Sequence, residues 1–235
     1  MRLALSIFML ACCGVVAQPK YINASHDITQ GMVAWWRLDE GTSANSTDTT
    51  GNGHTITNFS GPAWTNGPNG SAGLYFSNTY AGVASSALLT NVPQLSISVW
   101  IMITGNGVDF PRIVAKRDSA SSGYGLLKLD GTNNGIFFTC VTAGTGPTSV
   151  QLSRNAWHHI AATFDGSAER IYSDGNLDAS TSVSGITTAT HILTIGGDTL
   201  APNTSRFDGL IDDVRIYNRA LSAAEVYWLA KNGGK

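Results

Sequence analysis

The sequence predicts an all-β fold, an antiparallel sandwich or jelly roll of two sheets with one short C-terminal helix. Three observations carry this. Apolar residues recur with period two along most of the chain, turn-forming clusters separate those runs, and only the last stretch bears the marks of a helix. With 235 residues, 43% of them hydrophobic, the chain can bury one sizeable core, so a single main domain is expected. Charged residues make up 13%, against roughly 25% in ordinary soluble domains. The net charge of −2 and the lack of any Lys/Arg cluster leave no electrostatic footprint for nucleic acid.

In chain order, the start reads as an export signal. Arg2 is a minimal basic region, Leu3 to Leu10 an apolar run too short to span a bilayer, and Val15-Val16-Ala17 a small-residue site for cleavage before Gln18. Residues 1–17 are therefore expected to be a signal peptide, 18–30 a lead-in and 31–235 the domain. Lipidation at Cys12, after "MLA", and an uncleaved N-terminal arm are the alternatives. Removal of the signal also removes Cys12 and Cys13, and no later stretch is long enough for membrane insertion. Cys140 then stands as a single thiol, expected to be a small buried filler.

The strands follow. "LSISVWIMI" alternates Leu95, Ile97, Val99 and Ile101 with Ser96, Ser98, Trp100 and Met102. "WHHIAATF" sets Ile160, Ala162 and Phe164 opposite Trp157, His159 and Ala161. Turns are expected at "DGTNNG" (130–135), "DGS" (165–167), "DGN" (174–176) and "GGD" (196–198). Near the end, Ser222 followed by Glu225 forms a capping box, and "SAAEVYWLAKN" supplies the helix.

Taken together, "GMVAWWRLDEG", "AGLYFSNTYAGV", "LSISVWIMI", "GYGLLKLDGTNNGIFF", "NAWHHIAATFDGSAERIYSDGNLDAS" and "FDGLIDDVRIYNRALSAAEV" resemble, in this order, the laminin G-like, concanavalin A-like jelly-roll domains. The resemblance runs from about Gly31 to Trp228. It implies a two-sheet jelly roll, usually without catalysis, that binds glycans or serves as a surface or adhesion module. One departure is Phe76-Ser77-Asn78-Thr79, where many relatives carry "FDG" and an acidic pair.

Adjacent aspartates, Asp212 and Asp213, interrupt the strand-like run Leu210 to Tyr217. Catalysis is not expected of them. Glycosidases need two carboxyl groups set roughly 5–10 Å apart, one usually a glutamate, and the three glutamates here, Glu40, Glu169 and Glu225, fall in no such arrangement. No Gly-x-Ser-x-Gly elbow is present. Histidines 158 and 159 lie in a strand, where a core position with one satisfied nitrogen is expected. Two readings of the aspartates stand. They are calcium ligands, or they accept hydrogen bonds from solvent and turn amides. A hard cation wants six to eight oxygens, and the glycine-rich loop "STDTTGNGH" offers Asp48 and backbone carbonyls. The resemblance implies a structural calcium held by Asp48, Asn52 and one of Asp212 or Asp213.

A sugar-binding module needs exposed aromatic platforms. Trp64, Tyr80, Trp100 and Phe110 are the candidates. Trp35 and Trp36 point to opposite faces of a strand, so one is expected in the core, as are Trp157 and Trp228. Two functions are carried forward. The first is a secreted or cell-surface, non-catalytic binding module for glycan or glycoprotein. The second is a structural protein that self-associates or assembles into a larger particle, because "PKYINASHDITQGMVAWW" resembles the openings of laminin G-like proteins of phage virions.

Overall fold

The computed structural model describes residues 28–90, 92–107, 110–119, 122–140, 146–201 and 204–233. The expected signal peptide, its cleavage site, the lipidation alternative and most of the lead-in lie outside these residues. In chain order the elements are β1 (Met32–Trp36), β2 (Asn58–Phe59), β3 (Ala63–Asn66), β4 (Ala72–Ser77), β5 (Ala81–Val83), α1 (Ala87–Thr90), β6 (Leu95–Ile103) and β7 (Arg112–Ser119). There follow β8 (Ser122–Lys128), β9 (Ile136–Thr139), β10 (Trp157–Phe164), β11 (Ala168–Ser173), β12 (Asn176–Ser182), β13 (Leu193–Ile195), β14 (Asp208–Tyr217) and α2 (Ala223–Asn232).

Two antiparallel sheets form. One runs β12-β11-β10-β6-β14-β4-β3, with β1 also paired to β14, and the other runs β2-β5-β13-β7-β8-β9. Each expected turn joins or ends strands as the sequence indicates. The period-two residues Leu95, Ile97, Val99, Ile101, Ile160, Ala162 and Phe164 meet Val114, Leu126, Phe138 and Ile195 of the facing sheet in one apolar core. Trp36 lies in that core and its neighbour Trp35 points away, as alternation requires. Cys140 is also in the core, and burial raises its thiol pKa.

Most polar positions of β6 and β10 are not solvated: Ser96, Ser98, His159 and Thr163 are buried, and α2 packs against β10. Ser222 and Glu225 make the expected capping box. Val226 and Leu229 of the helix then pack on Tyr217, Ala161 and Tyr172, forming a second, outer core that includes Ile28. Ser96 is buried here because it donates to Arg219 O (2.8 Å) and accepts from Leu221 N (2.9 Å). Two expectations need correction. Trp157 and Trp228 are only half-buried, because residue 157 belongs to the outward face of β10 and Trp228 flanks the outer cluster.

Candidate ligand-binding site

The outward face of β7, β8 and β9 holds a groove. Register sets Arg112 beside Leu127 and Leu127 beside Phe137; the next row is Ala115, Gly125 and Thr139. A cavity of about 550 Å³ lies over these rows, a usual size for a small-ligand site. Glycines leave its floor bare. At Gly123, with φ +85°, a Cβ would lie 1.9 Å from Lys116 O, so no other residue fits without a shift of the backbone. Phe137, Leu127 and Leu129 supply apolar walls and Phe110 stands exposed at the rim. Gly146 and Thr148 close the far side. That strap is held to β9 by Phe138 N donating to Pro147 O (3.1 Å) and Ser149 N to Ile136 O (2.8 Å).

Arg112 and Arg117 both line the groove. Five residues apart, they would fall on opposite faces of a regular strand. A register shift between Arg112 and Val114 sends both Ile113 and Val114 into the core and brings both arginines outside. The guanidinium of Arg117 donates from Nε and Nη2 to Asp198 Oδ2, while Asp198 Oδ1 accepts from Leu200 N (2.9 Å). Arg112 Nη1 donates to Phe110 O, and Phe110 N donates to Asp130 Oδ1, so the rim aromatic is held from both sides. Arg112 Nε is buried, 3.6 Å from Asp198 Oδ2, and makes no hydrogen bond. Burial and the charge of Arg117 push the Arg112 pKa down to about 10, so it stays a cation at neutral pH.

A buried lysine secures one end. Lys128 Nζ donates to the carbonyls of Asn106 (2.7 Å), Leu129 (2.8 Å) and Gly131 (2.9 Å). Its ammonium thus holds the β6–β7 loop to the β8–β9 turn. Burial, followed by the charge of Arg154, lowers its pKa.

The residues singled out from the sequence are dispersed. Of the aromatics, Phe110 lines the groove. Trp64 lies on β3 of the other sheet, donating from Nε1 to Ser43 O (2.9 Å) and packed near Phe59. Tyr80 lies under the guanidinium of Arg206, 5.1 Å from its ring centroid. Trp100 is on the outward face of β6, its ring 5.5 Å from that of His159, with a buried Nε1 that has no hydrogen-bond partner. Missed by sequence reasoning were Arg112, Arg117 and Phe137. The pair of glycines at alternate positions of β8 was the available signal, since glycine inside a strand often marks close approach or an open surface.

The acidic residues answer to different needs. Asp48 Oδ1 accepts from Trp35 N (3.1 Å), Thr50 N (3.0 Å) and Thr50 Oγ1 (2.7 Å), and Oδ2 accepts from His54 N (3.1 Å). Burial alone would raise its pKa, but these bonds outweigh it and hold the carboxyl below its ordinary value. Asn52 Nδ2 donates to Val33 O (2.8 Å). The Asp213 carboxylate accepts from Arg215 through both oxygens (3.0 and 2.9 Å) and from Trp35 Nε1 (2.6 Å). Asp212 Oδ2 accepts from Ser71 Oγ (3.3 Å), and its buried Oδ1 has no partner. Burial, then the neighbouring Asp213, pushes the Asp212 carboxyl up to about 8. Among the described residues, no three His, Cys, Asp or Glu side chains are grouped to hold a metal ion. His159 accords with its expectation: one nitrogen meets Ser98 Oγ at 2.9 Å, and burial lowers its pKa to about 4.

A laminin G family model, described as the concanavalin A-like lectin/glucanases superfamily, matches residues 76–227, well over half of the chain. The chain belongs to this superfamily. Solved structures repeat its concanavalin A-like fold at low identity. Domain 4 of AbnA, a GH43 extracellular arabinanase from Geobacillus stearothermophilus solved in complex with arabinotriose, is 19% identical with a TM-score of 0.65, over 85% of this chain and 98% of that one. The binding domain of Paraclostridial Mosquitocidal Protein 1 is 18% identical, TM-score 0.66, over 86% of this chain and 52% of that one. A botulinum neurotoxin type C structure, described with cell entry that depends on two ganglioside molecules, is 15% identical, TM-score 0.65, over 88% and 52%. This chain therefore spans about half the length of those toxin chains.

Proposed function

We propose that the protein is an extracellular, non-catalytic binding module that takes a saccharide, free or carried on a glycoprotein, in the groove over β7, β8 and β9. The observation that carries this reading is the groove itself. A half-buried phenyl ring, Phe137, flanks a glycine floor on which a flat ligand can lie, with arginine and threonine groups around it. Sugars need that combination: an apolar ring face stacks on an aromatic side chain while hydroxyls find fixed hydrogen-bonding partners. The described lining includes no Asp, Glu or His to serve as general acid or base. The arabinotriose complex of the arabinanase domain supports the reading at the level of the shared fold.

A glycan array followed by titration calorimetry tests it. Phe137→Ala should weaken the best ligand by about tenfold or more, as truncation of a central contact does, with an unchanged melting profile and no turnover of the glycan. Failure of every glycan to bind, together with ordered self-association of the purified chain, would replace this reading with that of a structural assembly protein.

A further inference from the structure

We propose that the saccharide taken in the groove is anionic, and that its carboxylate or sulfate group docks at Arg112 and Arg117. This inference rests on the saccharide reading above and names the class of ligand within it. The groove is lined by two arginines and, among the described residues, by no acidic side chain. Behind them, cations outnumber the carboxylate they share. Nε and Nη2 of Arg117 both fall on Asp198 Oδ2, its Nη1 reaches Ser119 O at 3.5 Å, and Asp198 Oδ1 is taken by Leu200 N. Arg206, held over Tyr80, also feels the charge of Asp198. The other acid near Arg112 is Asp130, which accepts from Phe110 N.

Arg112 is consequently under-compensated. Its side chain is close to nine-tenths buried, and its Nε meets no protein acceptor at hydrogen-bond length, Asp198 Oδ2 lying 3.6 Å away. A buried donor left unmade costs free energy, and more so on a charged group. A neutral sugar hydroxyl would relieve part of that cost. An oxyanion relieves it more fully, because guanidinium groups match the planar spacing of carboxylate and sulfate oxygens. The position also suits a sugar acid. Phe137 and Leu127 share the cross-strand row of Arg112, so a ring stacked on Phe137 can direct a substituent toward the arginines.

The test is calorimetry on the full chain with four probes: an oligogalacturonate, its neutral methyl ester, a sulfated oligosaccharide and inorganic sulfate. The oligogalacturonate or the sulfated sugar should bind at least about tenfold more tightly than the neutral ester, with affinity falling as salt rises. Which of the two binds more tightly identifies the oxyanion. Arg117→Gln should abolish most of that difference, and Arg117→Lys, which keeps the charge but loses the fork, should abolish part of it. Arg37→Gln removes the same charge from an exposed site at the end of β1 and should change nothing. The comparison of charged and neutral probes on the unaltered chain needs no variant, so a misfolded Arg117→Gln would not remove the test. Equal affinity for charged and neutral sugars, with binding still lost in Phe137→Ala, would overturn the anionic inference and leave the saccharide reading standing. Inorganic sulfate binding as tightly as any sugar would also overturn it. No binding of any saccharide would overturn both.

Discussion

Asp212 and Asp213 are neighbours in sequence and opposites in chemistry. The sequence shows that two carboxylates interrupt a strand, but it cannot show why. One edge of β14 pairs with β4 as far as Ile211 and with β1 from Val214 onward, so the aspartates sit where the partner changes. The ladder to β6 is also irregular there, and Asp213 takes φ +48°, a left-handed value that aspartate tolerates better than most residues. Its charge is matched by Arg215, whereas Asp212 is buried beside it without a cation. At Asp212 the folded-state pKa, about 8, lies above the ordinary 3.8. Between these values the unfolded chain gives up the proton while the folded chain keeps it, so stability is lost as pH rises from about 4 through 8. At His159 the sign is reversed: the folded value of about 4 lies below 6.5, and stability is lost as pH falls from 6.5 toward 4. Asp212→Asn should therefore raise the melting temperature at pH 8–9, by at least about 1 kcal/mol in stability, and change it little near pH 4. Melting curves across that range decide it, and a gain of equal size at both ends would show that the charge of Asp212 is not the cause.

Regular elements were legible wherever one local rule held. β6 and β10 follow from period two, and α2 from Ser222 and Glu225. The cap is supported further by Arg219, whose Nη2 donates to Glu225 Oε1 at 2.6 Å. Ser222→Ala should cost about 1 kcal/mol by leaving Glu225 N without its side-chain acceptor, while Arg219 still holds the Glu225 carboxylate, with the loss read from urea denaturation. An unchanged midpoint would mean that α2 is held by the packing of Val226 and Leu229 alone. β7 was not legible in the same way. Its bulge changes which residues share a face, and no count along the sequence reveals where the extra residue falls. The arginine pair of the groove therefore stayed hidden while Phe110, in the preceding loop, could be picked out as a candidate aromatic.

For the whole molecule, the fold was readable because alternation and turns recur along the entire chain. The groove was not, because it joins three strands, a strap and Asp198, whose positions span residues 110 to 198. A stabilising calcium, implied by family resemblance, is carried only as a proposal. The carboxylates of Asp48 and Asp213 already have protein donors, and buried Lys128 gathers three carbonyls much as a metal ion would. On that proposal excess chelator should lower the melting temperature, with recovery on added calcium; an unchanged melt, with no metal found by elemental analysis, would leave those protein donors as the whole account.

The outer core under α2 also decides how the module can be presented. Ile28 and the helix both dock on the eight-stranded sheet, and Arg219 Nε donates to Gln30 O (2.8 Å) while Asn218 N donates to Gly31 O (2.8 Å). The first described residues are thereby fastened to the β14–α2 corner, on the back of the sandwich, with the groove on the front. Ile28 and Gly233 thus both lie behind the module, so a bulky polymer can approach the front without meeting α2 or the segment that leads into β1.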